Sequence, residues 1–338
     1  MKKNLKFLTI MPIDRYYVWQ CQLWIDNLQS LGYADRAIIL LFVPKGRDVS
    51  KEWYELINLF PEATFEFIYG DNNITKLLSI YIPILRIYSA AIYWEKHPEL
   101  QNDAIFYCDS DILFTKKFDV SAYIDNDVNY LSNTNSYINA SYFDSKIKDV
   151  LPEKLEEYKK IDVLEIVTNI CKINREIAEK NNQHSGGAQY LLKNINVSFW
   201  KKCFGDCLNI RVYLQQINKE YFSSEEEGFQ SWCADMWAVL FNLWWKNAET
   251  LVIPEMDFAW STEPIEVLQT KTIFHNAGIT GENTHSYPTF YKGKYNKGEC
   301  PFNDKTLQLT YNNEKTKKYC NHYYLTTLLN LKNKIIWH

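Results

Sequence analysis

The sequence lacks a basic excess, a long apolar run and a glycine-rich phosphate loop. Lysine and arginine number 37 against 41 aspartates and glutamates, which gives the 338-residue chain a formal charge of −4. Nucleic-acid-binding domains usually show a basic face, so we expect no nucleic-acid partner. No segment approaches the roughly 18 consecutive apolar residues that mark a membrane-spanning helix, so we expect no such span.

Neither common glycine-rich phosphate motif occurs, since the chain has no G-x-x-x-x-G-K-S/T and no G-x-G-x-x-G. A bound phosphate would therefore have to be held in another way. The eight cysteines form no zinc pattern, because the nearest pair, Cys203 and Cys207, has no second pair to complete a site. We expect reduced thiols, most of them buried.

The opening stretch, MKKNLKFLTIMPIDR, combines lysines with apolar residues, as a secretion signal does. Pro12 breaks the stretch, and Asp14 and Arg15 follow at once, which favours a first core strand over a signal peptide. We therefore expect a cytoplasmic protein.

The first third of the chain alternates between apolar strands and amphipathic helices. Helices are predicted over about 17–31, 50–60 and 79–96, and strands over 5–11, 37–43, 64–70 and 104–114. Such alternation predicts an α/β fold with a parallel sheet that has helices on both faces. Ligands of these sheets bind at the carboxyl ends of the strands.

Two aspartates, Asp109 and Asp111, lie at the carboxyl end of the fourth predicted strand, in FYCDSDILF. In an extended chain they would share one face, roughly 6.5–7 Å apart along the strand. Two convergent carboxylates suit a hard divalent cation that also holds phosphate oxygens, and burying both without a cation or strong donors would be expensive. A helix cap, or ion pairs with Lys116 and Lys117, is the alternative.

An apolar strand ending in Asp-x-Asp, after strand–helix repeats, resembles the nucleotide-sugar-dependent glycosyltransferases of the GT-A fold, and especially retaining families such as glycosyltransferase family 8. The likeness covers about residues 1–281 and continues, in order, through PILRIYSAAIYW, HSGGAQYLLKN, CADMWAVLFN and HNAG. GGAQY with the Trp-containing helix after it is also loosely similar to plant-type peptidyl-serine galactosyltransferases.

The resemblance implies roles for individual residues. The metal ligands would be Asp109, Asp111 and His275. The donor contacts would be Arg86, Asp109, Ser110, His184, Gly186, Gly187 and Gly278. The residues near the reacting carbon would be Asp235 and Gln189.

The same resemblance implies the fold, the reaction and the organisation of the chain. The fold would be GT-A (Rossmann-like), an α/β fold with a mixed, mainly parallel sheet flanked by helices. Mn²⁺ or Mg²⁺ would hold a nucleotide diphosphate sugar, with uridine favoured, and a hexose would pass to a hydroxyl of a glycan or protein with retention. Residues 1–281 would form the catalytic domain, with a donor half at about 1–114 and an acceptor half at about 115–281. Residues 282–338 would be an extension of unknown role. Family 8 usually has a diphosphate-binding lysine where Gly281 stands here, and Lys292 or Lys294 is the candidate replacement.

Structural explanations stay open for several of these residues. Arg86 lies in an apolar helix and would otherwise pair with a buried acid. Asp235 would otherwise be an acid favoured by a helix N-terminus. Gly186 and Gly187, predicted directly before an amphipathic helix with Gln189 just inside it, would otherwise make a turn.

Two second-choice catalytic acids and two alternative functions of the chain also stay open. Glu255 and Asp257 are the alternative catalytic acids, and Trp260 beside them would stack on an acceptor or fill the core. A nucleotidyltransferase acting on sugar phosphates would share a similar sheet, although TIMPIDRYY lacks its usual glycine-rich loop. A non-catalytic carbohydrate-binding protein of the same fold is the other alternative.

Overall fold

The fold is given by a computed structural model that describes residues 3–282, 284 and 289–337. The strands are β1 (Leu5–Pro12), β2 (Ala37–Val43), β3 (Thr64–Tyr69), β4 (Ala104–Cys108), β5 (Ile112–Phe114), β6 (Asn129–Leu131), β7 (Tyr190–Lys193), β8 (Thr250–Val252), β9 (Phe258–Trp260) and β10 (Ile273–His275). The α-helices are α1 (Arg15–Ser30), α2 (Lys51–Leu59), α3 (Asn72–Ile80), α4 (Ile84–Lys96), α5 (Ser121–Ile124), α6 (Ala140–Ser145), α7 (Leu155–Tyr158), α8 (Val163–Ile170), α9 (Arg175–Lys180), α10 (Val197–Tyr221), α11 (Ala234–Trp245), α12 (Leu307–Asn312) and α13 (Asn321–Asn330).

The main sheet has seven strands in the order β3-β2-β1-β4-β7-β6-β8. β1 pairs in parallel with β2, and β2 with β3, whereas β6 pairs in parallel with β8 and antiparallel with β7. A second sheet has the order β5-β10-β9. The predicted α/β fold with a mixed, mainly parallel sheet is therefore confirmed.

The chain forms two compact units, each assembled from segments that are separate in the sequence. The first, called here the acidic unit because it contains Asp109 and Asp111, consists of Leu5–Asp71, Tyr107–Ser121 and the described residues from Pro254 onward. The second, called the helical unit, consists mainly of Asn72–Phe106 and Ala122–Ile253. The predicted domain boundaries near residues 114 and 281 stay predictions.

The core of the acidic unit draws on both early and late parts of the chain. All residues of β2 are buried, as its uninterrupted apolar sequence AIILLFV requires of a strand covered on both faces. One cluster joins Trp19 of α1 and Phe274 of β10 to Phe290 and Tyr324. Residues after 282 thus contribute buried side chains to this unit.

The helical unit is organised around α10, which packs against α4 and α11. The rings of Trp94 and Trp200 meet edge to face at 5.5 Å, and the indole N–H of Trp94 donates to the carbonyl of Ile195 at 2.8 Å. Asn196 caps α10 by accepting from the amide of Phe199 at 3.1 Å. No helix in the described part of the chain has both the length and the apolar composition needed to cross a membrane.

Three predicted elements differ from the structure. The helix predicted over 79–96 is present only as α4, because Pro83 has no N–H to donate and caps the start of α4 at Ile84. Ser79 and Ile80 are instead the last residues of the separate helix α3. The strand predicted over 104–114 is β4 and β5, with the acidic pair between them. The amphipathic helix predicted directly after Gly187 is wrong, since β7 occupies Tyr190–Lys193 and α10 begins only at Val197.

The expectation that most cysteines are buried is confirmed, since all eight are buried. Burial raises the pKa of the Cys21 thiol, which keeps it protonated and unreactive at neutral pH.

Candidate functional site

The acidic pair lies in the turn that connects β4 with β5. The backbone N–H of Asn276 donates to the carbonyl of Asp111 at 2.9 Å, next to the antiparallel pairing of β5 with β10. That pairing sets His275 opposite Ile112, the residue after Asp111. The sheet register therefore brings an imidazole from late in the chain beside the acidic turn.

The three predicted metal ligands converge. Nε2 of His275 lies 3.4 Å from Oδ1 of Asp111 and 3.8 Å from Oδ2 of Asp109. One ligand atom from each residue can be chosen so that all lie within 4.8 Å of one another. Asp111 and His275 are buried and Asp109 is half-buried. Two carboxylates and an imidazole suit Mn²⁺ or Mg²⁺, so these residues fit a divalent cation.

A fourth charged group, Lys292, contacts the acidic turn. Its Nζ pairs with Oδ2 of Asp111. Burial alone would raise the pKa of Asp111, but the charges of Lys292 and His275 outweigh it and hold the pKa of this carboxyl well below its usual range. Asp111 is thus an anion at neutral pH despite its burial.

Aromatic rings and amides fix His275 and its neighbours. The Trp260 ring stacks on the imidazole at 6.0 Å, and Phe258 approaches it at 5.2 Å. Oδ1 of Asn276 accepts from Ser261 at 2.9 Å and from Asn321 at 3.0 Å. The ligand-bearing loops are therefore held by contacts from α13 as well as by the sheet.

Two other predicted residues lie in the same unit. Ser110 is buried within the acidic turn, between the two aspartates. Gly278, soon after His275, has a φ of +88°, a conformation that side chains other than glycine rarely adopt. The backbone conformation at Gly278 therefore favours glycine, whatever its role toward a donor.

In the helical unit, Arg86 and Asp235 pair with each other. Nη2 of Arg86 contacts Oδ2 of Asp235, which lies in the first turn of α11. The hydroxyl of Tyr81 donates to Oδ1 of Asp235 at 3.2 Å and accepts from its backbone N–H at 3.1 Å. Burial first, and then the charge of Asp235, raise the pKa of Tyr81 well above its ordinary value. The structural explanation for Arg86, a pair with a buried acid, is thus present.

The glycine pair packs against the end of β6. A Cβ on Gly186 would lie 2.2 Å from the carbonyl oxygen of Ser132, and the Ser132 hydroxyl donates to the carbonyl of Gly187. The amide of Gln189 donates to that hydroxyl at 3.1 Å, and the Gln189 side chain is fully buried. Close packing therefore supplies a reason for these glycines that needs no sugar.

The remaining predicted residues are placed as follows. The His184 side chain is exposed, while its carbonyl accepts from the Thr250 hydroxyl at 2.9 Å. Asp257, a second-choice acid, accepts from Lys271 at 2.8 Å. Glu255 lies nearby in the turn Pro254–Met256.

The structure thus groups the predicted residues into separate sets. Asp109, Ser110, Asp111, His275 and Gly278 belong to the acidic unit. The remaining first-choice residues belong to the helical unit, and they are Arg86, His184, Gly186, Gly187, Gln189 and Asp235.

Sequence reasoning did not predict that Lys292 contacts Asp111, 181 residues earlier in the chain. It also missed Tyr81 as a partner of Asp235 and Asn276 as a support of the acidic turn. Asn276 stands inside the HNAG motif and could have been suspected from it, whereas no local pattern marks Tyr81.

Fold and site together define an α/β protein with a candidate site for a divalent cation. No protein-family model matches the chain, and no curated protein matches its sequence.

Among solved structures, the chain is similar to three glycosyltransferases. WbbM, a bifunctional glycosyltransferase in its apo form, is 9% identical over 83% of this chain and 47% of its own, with a TM-score of 0.42. Mouse xyloside xylosyltransferase 1, also apo, is 10% identical over 82% of this chain and 100% of its own, with a TM-score of 0.37. The galactosyltransferase LgtC, in complex with donor and acceptor sugar analogs, is 10% identical over 91% of this chain and 99% of its own, with a TM-score of 0.41.

The chain spans about half the length of WbbM, at 47%. Since all three TM-scores are below 0.5, these likenesses do not decide what the chain does. Its activity has to rest on its own residues.

Proposed function

We propose that the chain is a metal-dependent glycosyltransferase that moves a hexose from a nucleotide diphosphate sugar to a hydroxyl group. The observation that carries this proposal is the convergence of Asp109, Asp111 and His275 at the end of β4. Ligands of parallel sheets bind at this end of the strands, and oxygen-rich sites of this kind suit cations that also hold phosphates.

The chemistry follows from the charges involved. A divalent cation, when bound, would neutralise the charge that grows on the departing diphosphate. Asp109 and Asp111 would hold it through carboxylate oxygens, and His275 through Nε2. Stacking of Trp260 on the imidazole and the hydrogen bond from Asn276 to the turn keep these ligands in place. Such preorganisation reduces the reorganisation needed when the leaving group departs.

The finer features of the proposal rest on the resemblance to GT-A enzymes. The donor is a UDP-sugar, the ion is Mn²⁺ or Mg²⁺, the acceptor is a glycan or protein, and the anomeric configuration is retained. Donor contacts from Arg86, Ser110, His184, Gly186, Gly187 and Gly278, and roles for Asp235 and Gln189 at the reacting carbon, belong to the same proposal.

The test is thermal stabilisation by a panel of nucleotide sugars, with and without Mn²⁺. We expect one UDP-sugar to raise the melting temperature only when Mn²⁺ is present, and Asp111→Asn to abolish the shift. Asp119→Asn is the matched control, since Asp119 is an exposed acid of the same unit that accepts from the amide of Ser121. A shift that needs neither the metal nor Asp111 would contradict the proposal.

Product analysis separates this function from the alternatives. Incubation with the selected donor and Mn²⁺ should release UDP, by hydrolysis or by transfer. Release of pyrophosphate from a nucleoside triphosphate and a sugar phosphate would instead indicate a nucleotidyltransferase. Saturable binding of a sugar ligand without any release of UDP from the donor would indicate a carbohydrate-binding protein.

A further inference from the structure

We infer that Lys292 is a built-in counter-cation of the acidic site, which competes with a divalent cation for Asp111 and must leave that carboxylate when the metal binds. The inference deepens the proposed metal function and rests on it. It follows from the contact of the Lys292 ammonium with Oδ2 of Asp111 and from the way the chain around Lys292 is anchored.

Lys292 begins a short helical turn, Lys292–Tyr295, whose two ends are tied into the core of the acidic unit. Phe290 and Tyr295 stack on each other at 5.7 Å, and each also packs edge to face on Trp19, at 5.9 and 6.1 Å. The amide of Phe290 donates to Oδ1 of Asn321 at 2.7 Å. The backbone that carries Lys292 is therefore fixed on both sides.

The turn itself is closely packed. A Cβ on Gly293 would lie 2.3 Å from the ring of Tyr291, so no larger residue fits directly after Lys292 without displacing that ring. With its backbone anchored, Lys292 can move away from Asp111 by rotation of its flexible side chain alone. The competition we infer thus requires no rearrangement of the core.

Asp111 has two oxygens and two different partners. Oδ1 faces Nε2 of His275 at 3.4 Å, and Oδ2 contacts the ammonium of Lys292. A cation held by Asp109, Asp111 and His275 would repel the positive charge of Lys292, which pairs with the carboxylate of Asp111. Binding of the metal and pairing of the ammonium therefore weaken each other at Asp111.

The charges lead to the same conclusion. The two carboxylates carry two negative charges, and Lys292 offsets one of them. With a divalent cation in addition, the group would be positive by one unit unless the lysine leaves or an anion arrives. A diphosphate supplies such an anion, so a displaced ammonium could pair with its oxygens.

The chain offers a matched control two residues further on. Lys294 lies in the same turn, but its Nζ pairs with Asp304 at 2.5 Å, which is not one of the candidate metal ligands. Its side chain is 56% exposed, against 27% for Lys292. Lys294 therefore reports on general effects of removing a lysine from this segment.

The first test is Mn²⁺ affinity, measured by the electron paramagnetic resonance signal of free Mn²⁺. We expect Lys292→Met to lower Kd at least about tenfold, which corresponds to about 1.4 kcal/mol, while Lys294→Met leaves Kd unchanged. Lys292→Arg, which keeps the positive charge, should stay close to the wild-type value. An unchanged or higher Kd in Lys292→Met would overturn the inference.

A second measurement needs no variant, so it remains valid even if Lys292→Met fails to fold. Amine acetylation of the wild-type protein is followed by peptide mass spectrometry with and without Mn²⁺. We expect Mn²⁺ to increase the labelling rate of Lys292 several-fold and to leave Lys294 unaffected. If the protein binds Mn²⁺ but Lys292 is acetylated at the same rate with and without the ion, the inference is wrong.

The outcomes separate this inference from the proposed function. If the wild-type protein and Lys292→Met bind Mn²⁺ with equal affinity, the metal site stands and only the competition is wrong. If neither binds Mn²⁺, the metal site itself is wrong, and the inference falls with it.

Discussion

The guanidinium of Arg86 in α4 pairs with the carboxylate of Asp235 at the start of α11, and both side chains are largely shielded from solvent. Tyr81 completes the group through hydrogen bonds to the carboxylate and to the backbone N–H of Asp235. Because Asp235 is satisfied by these partners, any role for it in chemistry would have to operate within this pair.

Removal of one partner should therefore be costly. Arg86→Met leaves Asp235 buried without its counter-charge, and we expect a loss of about 3–5 kcal/mol in the free energy of unfolding, measured with urea. The double variant Arg86→Met, Asp235→Leu should recover much of that loss. Lys201→Met is the control, because the exposed pair of Lys201 with Glu95 should contribute less than about 1 kcal/mol. Equal losses in Arg86→Met and Lys201→Met would disprove the burial argument.

The glycines allow a graded test. A Cβ on Gly186 would meet a backbone oxygen, whereas one on Gly187 would meet only side-chain ends, those of Met236 and Tyr190, at 2.7 Å. We expect Gly186→Ala to lower the free energy of unfolding by about 1–3 kcal/mol and Gly187→Ala to lower it by less. The melting temperatures of the two variants should fall in the same order. Gly205→Ala, inside α10 with nothing within 4 Å, should stabilise by about 0.5–1 kcal/mol. Normal stability with lost donor binding in Gly186→Ala would favour the sugar-binding role instead.

Metal binding should depend on each carboxylate of the acidic pair. Loss of a supporting residue around a metal site typically weakens affinity by about 10–100-fold, so we expect Asp111→Asn and Asp109→Asn to weaken Mn²⁺ binding more than that. At 100 times Kd, Mn²⁺ should stabilise the wild-type protein by about 2.7 kcal/mol, and EDTA should remove that gain. In the control Asp119→Asn, Mn²⁺ should stabilise the protein as in wild type, and EDTA should remove that stabilisation. Wild-type affinity in Asp111→Asn would place the metal elsewhere.

The lowered pKa of Lys193 predicts that the stability of the protein changes at alkaline pH. Burial, with the charge of Lys3 adding to it, lowers the pKa of Lys193 from 10.5 to about 8, although its ammonium donates to Asn126 at 2.6 Å. Above pH 8 the folded protein releases this proton, while the unfolded chain keeps it until about pH 10.5, so the unfolded state binds more protons and stability rises with pH in that window.

The comparison variant is Lys193→Met. The stability of the wild-type protein relative to Lys193→Met should increase between pH 8 and 10.5, by up to about 3 kcal/mol, in urea titrations at a series of pH values. The stability of the wild-type protein relative to Lys148→Met, a control at an exposed site, should not change over the same pH range. A decrease across that window would show that the assigned direction of the pKa shift is wrong.

Residues after 282 should matter for stability. Tyr324 is fully buried against Phe290 at 5.7 Å and Phe274 at 5.9 Å. We expect Tyr324→Ala to cost about 3–5 kcal/mol, as removal of a buried aromatic ring does, in thermal or urea unfolding. Tyr323→Ala, at a half-buried neighbouring position, should cost less. Small and similar losses of stability in Tyr324→Ala and Tyr323→Ala would mean that the residues around Tyr324 contribute little to the stability of the fold.

The sequence was most informative where local pattern decides the structure. The run AIILLFV predicted β2 with its bounds, because an apolar, β-branched stretch of that length fits a buried strand. The convergence of Asp109 and Asp111 with His275 was anticipated only through the order of motifs in the resembling enzymes. The register between β5 and β10 that produces it is a long-range pairing that no local pattern reveals.

Where the prediction was wrong, tertiary context or a neglected residue decided. Gln189 was expected just inside a helix, but hydrogen bonds with Ser132 hold it in the bend directly before β7. Pro83 was overlooked as the break between α3 and α4. The contact of Lys292 with Asp111 could not be predicted, because nothing near either residue in the sequence specifies the other.

The acidic unit draws its residues from the beginning, the middle and the end of the chain, and this has a consequence for biosynthesis. Gln22 of α1 donates to the carbonyl of Asn333 at 2.5 Å, across 311 residues of sequence. During translation the acidic turn leaves the ribosome long before His275 and Lys292 exist, so its carboxylates are made without their final partners. Contacts of such long range form slowly, and partly folded chains expose apolar surface. We therefore expect assembly of this unit to be a late, post-translational event that is sensitive to chaperone supply.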